Sequence, residues 1–201
     1  MVRVEDISGT LPDGATPLDD VSQLIPAYIS TVAELYNAEF ININEAVGKY
    51  FLKPARKRFL TMDLLHKIHK DMFAKVWEWA GRNRKTNKNI GVDWHQIDVE
   101  IKILLDDLKY WQEQNEDITE ISAKLHHRLV KIHPFENGNG RWARFVLNLF
   151  LRDQGRKTVN WPEKELFVNS IFRAQYLSAL KQADAQHYDE LIELHEKYSE
   201  K

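Results

Sequence analysis

The 201-residue chain has the composition of an ordinary globular protein, with 43% hydrophobic residues, 29% charged residues and a formal net charge of −2. A charge this close to zero gives no electrostatic basis for binding nucleic acid, and no apolar run is long enough to span a bilayer, so neither partner is predicted. Cysteine is absent, which excludes disulfides, thiolate metal sites and a thiol nucleophile, and suits a cytoplasmic location.

Apolar spacing along the chain predicts a mostly α fold. Glycines and prolines punctuate residues 1–25, which we expect to form an extended N-terminal arm before a single helical domain at 26–201. Helical spacing begins near residue 26 and again near residue 61, whereas residues 82–96 break it and predict a β-hairpin or an ordered loop. Further helices are predicted at about 97–114, 117–132, 141–153, 163–184 and 187–199. The expected architecture is a compact helical bundle with one short β-hairpin.

The segment from His133 to Arg144 carries the residues that could bind a ligand or catalyse a reaction. A Gly-Asn-Gly turn at 138–140 lies between two predicted helices. Backbone N–H groups of such a turn, together with a helix N-terminus, can bind an anion. Arg141 and Arg144 share one helix face, and guanidinium groups suit phosphate oxygens. With an ordinary pKa of about 6.5, His133 can accept a proton, so the segment predicts transfer of a phosphorus-containing group.

A structural interpretation competes with this one. A lone Gly-Asn-Gly is usually an ordinary turn, and a lone His-Pro is usually the end of a helix. However, two arginines at a helix N-terminus oppose the helix macrodipole unless an anion lies between them. Such a local conflict favours a functional site.

The segment resembles the motif of the Fic family, His-x-Phe-x-(Asp/Glu)-Gly-Asn-Gly-Arg-x-x-Arg. Every specified position matches except the acidic one, where this chain has Asn137, and Glu136 falls on the free position before it. The resemblance covers roughly residues 60–195, including Trp79-Ala80-Gly81 upstream, and the pattern is most similar to the branch called "mobile mystery protein B". It implies a Fic-type helical bundle.

The resemblance implies roles for individual residues. His133 would be the general base that deprotonates a target hydroxyl, and position 137 would help to hold Mg²⁺ against the phosphates of ATP. The nucleotide-binding positions would be Gly138, Asn139, Gly140, Arg141 and Arg144. The predicted hairpin would be a flap that holds the target segment, with Asn89, Ile90, Gly91 and Val92 at its centre; the competing interpretation is a basic surface loop.

The implied reaction is attack by a Tyr, Thr or Ser hydroxyl of a target protein on the α-phosphate of ATP, which leaves AMP on the target and releases pyrophosphate. Two alternatives remain: the same scaffold uses another donor or removes AMP, or the chain is a weakly active module that binds a nucleotide or a partner. The expected partners are a target protein and an antitoxin or regulatory protein. Asn137 discriminates among these, because Mg²⁺ prefers charged oxygen ligands and an amide should lower its affinity.

Glu34 is a candidate inhibitory residue. Many Fic proteins carry a helix with Ser/Thr-x-x-x-Glu-(Gly/Asn), whose glutamate pairs with the second motif arginine. Ser30 and Glu34 have this spacing and would share a helix face, although Leu35 departs from the pattern. One hypothesis is that Glu34 contacts Arg144. We favour the alternative, in which Glu34 is a solvated or structural acid.

Overall fold

Eight α-helices account for most of the residues described by this computed structural model, which are 21–56 and 58–199. The predicted mostly α fold is confirmed, and no described helix is both long and apolar enough to cross a membrane. The helices are α1 (Val32–Phe51), α2 (Met62–Phe73), α3 (Ile97–Glu113), α4 (Ile118–Ile132), α5 (Asn139–Asp153), α6 (Glu163–Leu166), α7 (Ile171–Asp184) and α8 (Asp189–Lys197).

Capping side chains determine where the helices begin. The Thr31 hydroxyl accepts a hydrogen bond from the Glu34 N–H, and the Glu34 carboxylate accepts one from the Thr31 N–H. This capping box starts α1 after Thr31, later than the predicted start near residue 26. Ser170 caps α7, which divides the helical segment predicted at 163–184 into the short α6 and the longer α7.

The segment between α2 and α3 is an ordered loop. In the described part of the chain, β pairing is limited to isolated bridges. The β-hairpin predicted at 82–96 is therefore not found. The loop instead bonds the residues around the end of α4. The Arg84 N–H donates to the Pro134 carbonyl (2.8 Å) and the Val92 N–H to the Ile132 carbonyl (3.4 Å). These bonds occupy donors that a hairpin ladder would use.

Helix α5 runs through the centre of the bundle. Trp142, Val146 and Leu149 pack into an apolar cluster shared with α1 to α4, whereas Leu147 and Leu151 pack against α7 and α8. Burying each such side chain stabilises the fold by roughly 1.5–3 kcal/mol. Because α5 is packed on both sides, its N-terminus and the loop before it have a fixed position.

The predicted arm at 1–25 lies largely outside the described residues. Its described end contacts the turn after α2, where the Ile25 N–H donates to the Val76 carbonyl (2.9 Å) and the Glu78 N–H to the Gln23 carbonyl (3.0 Å). The division of the chain into an arm and one domain stays a prediction.

Candidate active site

His133 ends α4 in a left-handed backbone conformation, with φ 52° and ψ 59°. Its side chain is buried, and Nδ1 lies 3.3 Å from the Val130 carbonyl. A carbonyl can only accept, so this contact places the proton on Nδ1 and the lone pair on Nε2. Burial lowers the pKa of His133 to about 4, and the charges of Arg84 and Lys88 act in the same direction. The imidazole is therefore neutral at pH 7 and able to accept a proton.

Asn139 holds the loop closed. Its Oδ1 accepts from the Phe135 N–H and its Nδ2 donates to the Phe135 carbonyl, both at 2.9 Å, and the residue is only 2% exposed. The Asn139 side chain thus builds the turn, and an anion could be contacted only by its backbone.

Phe135 and His69 hold the same loop against the buried core. Phe135 is fully buried and stacks on His69 with the ring centroids 3.6 Å apart. His69 Nδ1 accepts from the Gly81 N–H (3.0 Å), which leaves Nε2–H to donate to the Asn137 carbonyl (3.1 Å). Burial lowers the pKa of His69 to about 3, so it stays neutral in this role.

The two motif glycines meet different constraints. Gly138 precedes α5 with φ +77°, and a Cβ there would lie 2.6 Å from the Phe73 Cζ atom. A Cβ on Gly140 would lie 3.3 Å from Arg144 Nη1. The turn therefore requires glycine at position 138, and one nitrogen of Arg144 lies close beneath the turn.

Arg144 forms a two-point ion pair with Glu163. Nε donates to Glu163 Oε1 (2.8 Å) and Nη2 to Oε2 (2.6 Å), while Arg144 is only 6% exposed. Burial alone would lower the pKa of Arg144, but Glu163 and a hydrogen bond with Tyr176 raise it above its ordinary value. The guanidinium is thus permanently charged and already holds a carboxylate in the geometry that a phosphate would need.

Arg141 pairs with a second glutamate. Its Nη1 donates to Glu39 Oε2 (2.6 Å), and Trp77 Nε1 donates to the other oxygen of this buried carboxylate (2.7 Å). The guanidinium also lies over the rings of Phe73 (4.9 Å) and Phe167 (5.7 Å). Both motif arginines are accordingly held at the start of α5, each by a carboxylate of this chain.

The hypothesis that Glu34 contacts Arg144 is wrong in this structure. The Glu34 carboxylate accepts from the Ser30 N–H (2.8 Å), the Ser30 hydroxyl (2.9 Å) and the Thr31 N–H (3.0 Å). These bonds lower the pKa of Glu34 and hold it in the capping box of α1. The structural alternative fits, and Glu163 occupies the position at Arg144 that was predicted for Glu34.

Asn137 supplies a neutral amide at the position that the resemblance assigns to Mg²⁺. Its Oδ1 accepts from the Gly138 N–H at 2.6 Å, and the neighbouring Glu136 pairs with Lys88 at 2.8 Å. Within residues 21–56 and 58–199, no group of three or more His, Asp or Glu side chains could hold a metal ion. A neutral, already bonded amide oxygen does not by itself make a Mg²⁺ site.

The predicted flap lies directly against His133. A Cβ on Gly91, where φ is +106°, would be 2.7 Å from the Cβ of His133. Asn89 and Ile90 are exposed next to it, and Val92 is half-buried. The loop therefore places exposed backbone beside the histidine, as a surface for a target segment would require.

Four residues that position this site were missed in the sequence. They are His69, Glu39, Glu163 and Arg84, and each is far in sequence from the motif residue it contacts. Arg84 was included only in a basic loop, although it is 1% exposed. Nothing in the local pattern distinguishes a buried arginine or glutamate from the exposed ones around it.

Comparison with known proteins agrees with this geometry. Residues 59–151 match the Fic/DOC family. Protein adenylyltransferase fic-1 of Caenorhabditis elegans is 30% identical over 158 residues, which are 70% of this chain and 29% of the relative. The chain thus spans less than a third of that relative's length.

Solved structures show the same fold. The N-terminal Fic domain of a cell filamentation protein from Bartonella quintana superposes with a TM-score of 0.70 at 19% identity, covering 95% of this chain and 94% of that one. The BepC protein of Bartonella tribocorum, solved with bound AMPPNP, gives 0.67 at 20% identity, covering 94% and 95%. The chain therefore has the Fic fold, and its residues 59–151 match the Fic/DOC family domain.

Proposed function

We propose that this chain transfers AMP from ATP to a Tyr, Thr or Ser hydroxyl of a target protein. One observation carries the proposal: a single buried loop joins a neutral histidine to a glycine turn and two arginines at a helix N-terminus. That arrangement suits a base acting beside a polyphosphate. The adenylyltransferase name of the C. elegans relative and the AMPPNP bound to BepC support the same donor class.

The chemistry follows from the two ends of the loop. His133 Nε2 would accept the proton of the target hydroxyl, whose oxygen forms a bond to the α-phosphorus. The bond from that phosphorus to the oxygen bridging the β-phosphate breaks, and pyrophosphate leaves with the electron pair. Backbone N–H groups at the start of α5, including those of Asn139 and Gly140, would stabilise the charge on the α-phosphate, and that of Gly138 would join them if it released Asn137 Oδ1.

ATP would compete with the carboxylates that the two arginines now hold. Arg144 now holds Glu163 and Arg141 holds Glu39, both through charge-assisted hydrogen bonds. The outer phosphates would replace one or both carboxylates, or bind the remaining nitrogens. The net free energy of ATP binding would then be the gain from the phosphate contacts minus the cost of releasing the carboxylates.

Magnesium has a small place in this proposal. The described residues do not form a metal site, so the ion would arrive with ATP and take most of its ligands from the phosphates. Asn137 is the protein residue that could contribute an oxygen. When bound, the ion would supply positive charge that offsets the charge of the phosphates.

Further elements of the proposal rest on the sequence. They are membership of the "mobile mystery protein B" branch, a cytoplasmic location, and an antitoxin or regulatory partner besides the target. The other two hypotheses, transfer from another donor or removal of AMP, and binding without efficient catalysis, use the same site. Labelling with ATP separates AMP transfer from phosphate transfer and from binding without catalysis.

The chain would be incubated with host lysate and either α-labelled or γ-labelled ATP. Label on protein from the α-labelled nucleotide alone supports AMP transfer, whereas label from the γ-labelled nucleotide indicates phosphate transfer. Absence of both, with ATP bound, indicates a binding module. His133→Ala should reduce transfer by on the order of 10²–10⁴-fold with ATP binding retained. His187→Ala, an exposed histidine between α7 and α8, is the matched control and should leave transfer unchanged.

A further inference from the structure

Arg84 joins the flap to the loop that carries the histidine. Its side chain is buried, and all three guanidinium nitrogens donate to backbone carbonyls. Nε donates to the His133 carbonyl (2.7 Å), Nη1 to that of Thr86 (2.8 Å), and Nη2 to that of Val92. The Arg84 N–H adds a bond to the Pro134 carbonyl (2.8 Å). One residue thus makes two bonds to the end of α4 and two to the flap.

A cation in this position is unusual. Burial lowers the pKa of Arg84, and its carboxylate neighbours Glu136 and Asp93 act through charge without a hydrogen bond to it. Burying a charge is unfavourable unless hydrogen bonds compensate for the lost water. The planar fork of arginine meets three carbonyls at once, which a lysine ammonium could not do from the same stem.

Gly91 shows how closely the two segments approach. A Cβ at this position would be 2.8 Å from Arg84 Nη2 and 2.7 Å from His133 Cβ. No side chain fits between the flap and the histidine. The Gly91 backbone therefore lies directly against His133, and Arg84 is a buried side chain that bonds both segments.

We propose that Arg84 is a positioning residue, which fixes the left-handed backbone of His133 and holds the flap against it. This inference rests on the proposed AMP transfer. Arg84 does not contact the motif arginines, so its role concerns the base and the target segment, not the nucleotide. Its positive charge next to His133 also favours the neutral imidazole.

Arg84→Lys and Arg84→Met separate geometry from charge. Both should lower kcat by about 10- to 100-fold, because a small displacement of a catalytic group is costly. Both should raise KM for the target, because Arg84 holds the flap. Both should leave KM for ATP within about two-fold, because Arg84 does not contact the motif arginines. Only Arg84→Met should move the acidic midpoint of kcat/KM to higher pH, by about half a unit or more, because it removes a nearby positive charge.

Arg152→Met is the matched control. Arg152 also donates to two backbone carbonyls, those of Tyr50 (2.9 Å) and Lys53, but it lies at the far end of α5. Its loss should lower thermal stability with kcat, both KM values and the pH midpoint unchanged. A purely structural role for Arg84 would give the same result.

Gly91→Ala tests the inference if the Arg84 variants do not fold. The added methyl should separate the flap from His133, lowering kcat and raising KM for the target with the buried charge still present. Wild-type protein that transfers no AMP would contradict the proposed function itself. If wild type is active and the folded Arg84 variants (or folded Gly91→Ala) keep kcat and target KM within about two-fold, the positioning role alone is overturned.

Discussion

Transfer activity should persist to unusually low pH for a reaction with a histidine base. Burial lowers the pKa of His133 to about 4, with the positive charges of Arg84 and Lys88 adding to the effect and the Val130 carbonyl opposing it. At pH 5 such an imidazole is about 90% neutral, whereas one with the ordinary pKa of about 6.5 is about 3% neutral. The expected difference in the fraction of competent base is roughly 30-fold.

The assay is the pH dependence of AMP transfer from α-labelled ATP between pH 4 and 8. The ratio kcat/KM reports ionisations of the free enzyme and should have its acidic midpoint near the low pKa of His133. The midpoint of kcat should lie higher, because bound phosphates are anionic and favour the protonated imidazole. A kcat/KM midpoint close to 6.5 in folded protein would refute the low pKa, and with it the burial of the base.

Acid unfolding limits how low the pH can be taken in this rate measurement. Burial lowers the pKa of His195 to about 4 and of His69 to about 3, and lowers that of His126 as well. Because these folded-state values are below the unfolded value, the folded protein binds fewer protons. The stabilisation is complete above pH 6.5 and is lost as the pH falls towards 4. For His195 alone the loss at pH 5 is about 2 kcal/mol, so circular dichroism must accompany every rate.

Three further predictions concern Gly138, Glu163 and Asn137. Gly138→Ala should destabilise the fold by about 2–5 kcal/mol, because of its φ of +77° and a ring carbon 2.6 Å from the new Cβ; thermal unfolding beside Gly48→Ala, where the Cβ has ordinary contacts, measures this, and equal melting temperatures would contradict it. Glu163→Gln should tighten ATP binding by several-fold, since a charged competitor at Arg144 is removed; calorimetry showing weaker binding would mean that Glu163 orients the arginine. Asn137→Asp should increase Mg²⁺ dependence in a metal titration, and unchanged affinity would place position 137 away from the metal.

Local patterns predicted the parts of the site that lie close together in sequence. Glycine is required at position 138, and the helix that carries both arginines begins directly after it, at Asn139, two residues earlier than predicted, so that Arg144 lies just beyond its first turn. His133 ends the preceding helix, as its proline neighbour indicates. These features depend on backbone conformation over a few residues, which residue type and spacing largely determine.

The contacts that complete the site could not be predicted in this way. Glu39 is 102 residues from Arg141, and Arg84 is 49 residues from His133. Such pairs depend on how α1 packs on α5 and how the flap packs on the end of α4, and one sequence contains no signal for that packing. The same limit left the two hypotheses for Glu34 open, because its spacing fits a helix face but equally fits the capping box that forms.

The two ion pairs at the start of α5 differ in how easily a phosphate could replace them. The Glu39 side chain is only 4% exposed and is also bonded to Trp77, so its displacement would leave a buried charge and a buried indole donor unsatisfied. The Glu163 side chain is 43% exposed and can be rehydrated when it leaves Arg144. Arg144 is therefore the arginine that should exchange its carboxylate for the outer phosphates, while Arg141 keeps Glu39 and contributes its remaining donors. The nucleotide site is thus assembled around one fixed and one exchangeable guanidinium.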